Sequence, residues 1–98
     1  MDIIVKVKQV KGACPTFKEG DSFTLKAGYQ LVSDNPVCMH ALSSIMPFYN
    51  ALIVSPPCVL GLDGKTDKDK AYVQCPDPVD YTGGGTVIFE ISRSTATG

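Results

Sequence analysis

The sequence has no surplus of charge of either sign. Nine Lys and Arg stand against ten Asp and Glu over 98 residues, a formal net charge of −1. A nucleic-acid binder working through a basic face needs such a surplus, and a single-strand binder needs an exposed aromatic stripe; neither is present in the pattern, so no nucleic-acid partner is expected. Nor is there an apolar run long enough to cross a bilayer. The most apolar region, 41–62, is broken by Ser43, Ser44, Pro47, Asn50, Pro56 and Pro57, and no basic amphipathic helix offers a membrane-surface alternative. The opening MDIIVKVKQV lacks a basic stretch followed by an apolar one, so no targeting segment is read there and the expected compartment is the cytoplasm.

Other absences narrow the chemistry. There is no CxxC pair, whose spacing would mark a metal site. Gly83–Gly85 is not followed by Lys-Ser/Thr and precedes a strand pattern rather than a helix, which excludes a phosphate loop. The acids between Asp63 and Asp69 lack the alternation, the glycine and the terminal glutamate of a calcium loop. No repeat or linker interrupts the chain. Its length suits a single domain, 1–93, with 94–98 expected to fray. A core this small is thin, which makes a homo-oligomer the expected assembly.

What is present begins with strand patterns. Ile3 to Val10 alternates Ile3, Val5 and Val7 with Ile4, Lys6 and Lys8, and Ser22 to Ala27 points Phe23, Leu25 and Ala27 to one side. Phe17 to Asp21 reads as a turn, and 29–34 has no clear assignment. Cys58 to Leu62 reads as a short edge strand, Asp63-Gly64 as a turn, 66–70 as a solvated charge run, Ala71 to Cys75 as a strand, 79–85 as a mobile glycine loop and Thr86 to Arg93 as the last strand. One helix is predicted, from Asn35 to Val54. Asn35 suits the N-cap and Pro36 the first helical position. Cys38, Ala41, Leu42, Ile45, Tyr49 and Leu52 then recur at steps that make one apolar face. Pro47 interrupts this face and predicts a kink or a division into two short helices. The expected fold is α+β: a small, mostly antiparallel sheet or half-barrel of about four or five strands packed on one Pro-kinked helix.

Four cysteines in a reducing compartment need an account. Cys14, Cys38 and Cys75 each fall at the end of an element, where sites usually form. Cys38, placed in the first helical turn, would feel the positive end of the helix dipole, which favours thiolate. Three thiolates suit zinc ahead of an iron–sulfur cluster, with a fourth position open to Lewis-acid or hydrolytic chemistry. Two other readings stand beside this one. The cysteines are plain core residues of a non-enzymatic binding or accessory subunit; a small-molecule ligand is a separate expectation for the chain. Alternatively Cys38 is a nucleophile, with Asp77 or His40 carrying protons. Asp77 lies between Pro76 and Pro78, which is also ordinary turn chemistry. His40 is two residues from Cys38, about 200° around a helix, so in a regular first turn the two point apart and His40 faces solvent or a partner subunit. Cys58 has no evident role.

Gly12-x-Cys14, Gly20-Asp21-x-Phe23, Cys38 with Ala41 and Pro47 after it, Cys75-Pro76-Asp77-Pro78 and Val87-x-Phe89-Glu90-Ile91-x-Arg93 together resemble a widespread family of small uncharacterised prokaryotic proteins. The resemblance covers most of the chain and is most specific at the Cys-Pro-Asp-Pro block and the terminal strand. It implies that Cys14, Cys38 and Cys75 belong to a shared pattern and that Cys58 with Pro56-Pro57 does not; it brings no activity. The family often has a histidine in the stretch that here holds Phe17 and Lys18. If that histidine is a ligand elsewhere, a four-ligand site in this chain needs Cys58, His40 or a small molecule in its place.

Overall fold

A computed structural model describes residues 2–94. Five strands form one antiparallel sheet: β1 (Asp2–Gly12), β2 (Ser22–Lys26), β3 (Gln30–Val32), β4 (Ala71–Gln74) and β5 (Gly85–Ser94), in the order β3-β2-β1-β5-β4. The long helix α1 (Met39–Val54) lies across one face and a single turn, α2 (Val79–Thr82), precedes β5. The expected α+β architecture is therefore observed. Residues 95–98 of the tail expected to fray lie outside the described residues, and Ser94 itself closes β5 opposite Asp2.

The period-two pattern decides which sheet face is buried. Ile3, Val5 and Val7 of β1, Phe23 and Leu25 of β2, and Val87, Phe89 and Ile91 of β5 all pack beneath Ala41, Ile45 and Leu52 of α1. Register between β1 and β5 shifts after Val7, so that Val7 faces Phe89 but Gln9 faces Ile88. This bulge at Lys8 lets the long central pair bend without turning its apolar residues outward.

Several local expectations are corrected. Phe17, placed in an exposed turn by its neighbours Lys18, Glu19 and Gly20, is a core residue: its ring meets Phe89 edge-on at 5.5 Å and stacks with Phe23 at 6.3 Å. Ala27 is exposed and does not continue the inward face of β2. With φ at 58° it occupies the first central position of a two-residue hairpin turn, Gly28 at 84° the second, and the Tyr29 amide closes the turn on the Lys26 carbonyl. The unassigned stretch 29–34 supplies β3. Pro57–Leu60 is a 3-10 turn rather than an edge strand, opened by consecutive prolines whose fixed φ suits a tight helical turn. The charge run 66–70 is only partly solvated, because Lys70 reaches Glu90 at 3.4 Å and Asp67 at 3.4 Å.

The helix begins three residues later than predicted, with its N-cap at Cys38 instead of Asn35. The Ser33 hydroxyl donates to the Asn35 carbonyl and accepts from the Asn35 amide, so the backbone of Asn35 is held in a local turn. Val37 is drawn against the core, and Cys38, extended at φ −70° and ψ 129°, becomes the N-cap. Pro47 lies inside one continuous helix, which it does not divide in two.

Candidate functional site

The Gly12/Gly85 end of the sheet is tightly constrained. Three segments meet there: the end of β1, the Cys75–Pro78 turn, and the glycines entering β5. Asp77 ties them together. Its Oδ1 accepts from the Thr82 hydroxyl, its Oδ2 accepts from the Gly85 amide at 3.3 Å, and its carbonyl accepts from the Thr86 hydroxyl. Thr86 Oγ1 in turn accepts from the Val79 amide at 3.1 Å. The packing leaves no room for side chains. A Cβ on Gly12 would lie 2.4 Å from the Gly84 carbonyl oxygen, one on Gly84 would lie 2.5 Å from Asp77 Oδ2, and one on Gly85 would lie 2.7 Å from the Ala13 carbonyl carbon. Within the stretch read as a mobile glycine loop, Gly84 packs against the Asp77 carboxylate and Gly85 against the Ala13 backbone, while a Cβ on Gly83 would meet nothing within 4 Å.

Two cysteines contribute to this construction. Cys75 is only 8 % exposed; its thiol donates to the Gly85 carbonyl at 3.5 Å and its sulfur accepts from the Val87 amide at 3.4 Å. Cys14 is half-buried, and its sulfur accepts from the Phe17 amide at 3.3 Å, closing the turn that carries Phe17 into the core. Cys38 is also half-buried but makes no side-chain capping bond at the helix start.

These residues surround a pocket of about 190 Å³. Cys75, Val87 and Phe17 line it from the core, Cys14 and Thr16 from the turn after β1, and Cys38 with His40 from the start of α1. Asp77 and the glycines complete the wall. All five sequence-predicted site residues, Cys14, Cys38, His40, Cys75 and Asp77, therefore border one space. His40 does so despite the 200° argument. Cys38 lies before the helix, so the regular helical angle between the two does not apply. Cys58 is exposed on the 3-10 turn and is not among the lining residues.

Sharing a pocket is not coordination. Among the described residues no group of three or more His, Cys, Asp and Glu is arranged to hold a metal ion. This overturns the three-cysteine metal protein expected from the sequence, whether for zinc or for an iron–sulfur cluster. The physical reason is placement: these side chains border the space from separate walls and are not gathered in threes around a common point, and the two Asp77 oxygens accept from Thr82 and Gly85. Phe17 and the glycines were not foreseen as site residues. The Cys14-Pro15-x-Phe17 spacing was the available signal for the first, because a cysteine acceptor three residues before an amide closes a turn.

Comparison with protein-family models, with curated proteins and with solved structures returned no match. Among the described residues no helix is long and apolar enough to cross a membrane.

Proposed function

We propose that this protein is a non-enzymatic binding module whose pocket, beside the start of α1, takes a small molecule, and whose cysteines build the pocket walls. The observation that carries this reading is the division of labour around the pocket. The sulfur atoms of Cys14 and Cys75 are bonded to backbone amides, yet the space they enclose with Phe17, Val87, Cys38 and His40 stays open. Concave spaces with apolar walls and a few convergent polar groups are the usual form of small-molecule sites. The same bonding speaks against a proton-carrying role for Asp77, whose carboxylate is held by Thr82 and Gly85.

The test is a screen of small aliphatic and aromatic fragments by amide NMR on the full chain. Binding fragments should shift the amides of Phe17, Cys38, His40 and Val87 together. A Cys38→Phe variant, which fills the space from its rim, should abolish those shifts while keeping the native spectrum elsewhere. Fragments that shift other surfaces only, or that bind the filled variant equally well, would refute the reading.

A further inference from the structure

The pocket does not end at the Cys14–Phe17 turn. The same turn lines a second depression, of about 370 Å³, so that Cys14, Pro15, Thr16 and Phe17 border both spaces. The chemistry changes across the turn. Beyond the shared turn, the first space is walled by Val87, Cys75 and Cys38 with His40 and Asp77, the second by Lys18, Asp21, Asn35 and Pro36.

Lys18 and Asp21 bring opposite charges to the second space, and among the described residues neither side chain is in an ion pair. The carboxylate is nevertheless held in place. Asp21 Oδ2 accepts from the Lys18 amide at 3.0 Å, and the Asp21 amide returns to the Lys18 carbonyl at 3.1 Å. Its Oδ1 remains available, as do the Lys18 ammonium, the Asn35 side-chain amide and the Thr16 hydroxyl. A plain anion entering here would meet Lys18 but also Asp21, and a plain cation would meet the reverse. A molecule carrying both charges meets a partner for each. An apolar substituent on the same molecule has the neighbouring compartment to enter.

We infer that the two depressions form one site for a small zwitterion with an aliphatic side chain, of the kind a free α-amino acid presents. Its carboxylate faces Lys18 and Asn35, its ammonium faces Asp21, and its side chain enters the space between Phe17, Cys38 and Val87. This rests on the reading of that space as a binding pocket, and the experiment separates the two.

Four probes that share an isobutyl group are titrated into the labelled full chain: L-leucine, 4-methylpentanoate, 3-methylbutylamine and 3-methylbutan-1-ol. Leucine should bind with a Kd about tenfold lower than the acid or the amine, the share of one charge-assisted hydrogen bond. Lys18 is exposed, so Lys18→Gln keeps the fold; it should weaken leucine and the acid and leave the amine unchanged. Asp21→Asn, which retains an acceptor for the Lys18 amide, should weaken leucine and the amine and leave the acid unchanged. If the alcohol binds as well as leucine, or if both variants bind leucine like the wild type, the zwitterion inference is overturned and the pocket reading survives. If none of the four shifts the amides of Phe17, Cys38, Lys18 or Val87, the inference fails; the Cys38→Phe fragment screen then decides the pocket reading by itself.

Discussion

The two ends of the sheet are built differently. At the Gly12/Gly85 end, a Cβ on any of three glycines would run into neighbouring backbone or the Asp77 carboxylate, and Asp77 holds the entry of β5. At the Asp2/Ser94 end, β2 turns into β3 through an alanine in the left-handed region, anchored by the Ala27 amide on Asp2 Oδ1 at 3.0 Å. All three residues of β3 are exposed. The first end is over-determined and encloses a pocket; the second is a short edge with conformational strain left in it. Cys14, Cys75 and Asp77, which were read as chemistry, are concentrated with Gly12 and Gly85 at the end where backbone geometry permits few substitutes.

The largest effect should come from breaking the crowded end at its backbone. Gly85→Ala sets a Cβ 2.7–2.8 Å from main-chain atoms of Ala13 and Cys14, which cannot rotate away as a side chain can. A loss of about 3 kcal/mol or more in urea denaturation is expected, in the range of severe overpacking. Asp77→Ala comes next. It leaves the Gly85 amide and Thr82 hydroxyl without their acceptor, at a cost of about 2 kcal/mol, and amide exchange at Gly85 should accelerate well beyond that at Ile3.

Glu90 supplies a control between the two ends, on the sheet face away from α1. It is 8 % exposed, accepts from the Tyr72 hydroxyl at 2.8 Å, and lies 3.4 Å from Lys70 and 3.6 Å from Lys8. Burial is the largest single influence and pushes its carboxyl up. The Tyr72 bond, Lys70 and Lys8 together outweigh it, so the group sits below its ordinary 4.5. A lowered folded value means stabilisation that is present above 4.5 and disappears as pH falls through the folded value. Glu90→Gln should cost about 1.5 kcal/mol at pH 7, and the difference from wild type should shrink in acid. A difference that grew in acid would contradict the assignment.

The smallest effect, and of opposite sign, belongs to the loose end. Ala27→Asn places a residue tolerant of positive φ in the hairpin turn beside Gly28 and should stabilise the protein by about 1 kcal/mol, read as a rise in the urea midpoint with unchanged slope.

The fold was legible where side-chain periodicity alone determines burial. Ile3-Val5-Val7, Phe23-Leu25 and Val87-Phe89-Ile91 announced their strands and shared face, and Ala41-Ile45-Leu52 announced the helix. It was not legible where a non-local contact overrides a local preference. Phe17 sits among turn residues but is drawn inward by Phe23 and Phe89. Asn35-Pro36 is a good helix start in isolation, yet the Ser33 hydroxyl takes the Asn35 backbone. The site was legible as a gathering: five residues chosen for their chemistry do border one pocket. Their roles were not, because a thiol that accepts a backbone amide and a thiol that binds a metal look alike in a sequence. The spatial arrangement distinguishes them: among the described residues no three such side chains are placed to hold one ion.

The most direct test of the account is the alkylation rate of each cysteine in the folded protein, followed by mass spectrometry with and without one equivalent of zinc. If the cysteines are pocket walls, Cys58 reacts fastest, Cys75 reacts only on unfolding, and zinc leaves the rates of Cys14, Cys38 and Cys75 unchanged. Joint protection of those three by a single equivalent of zinc would contradict it.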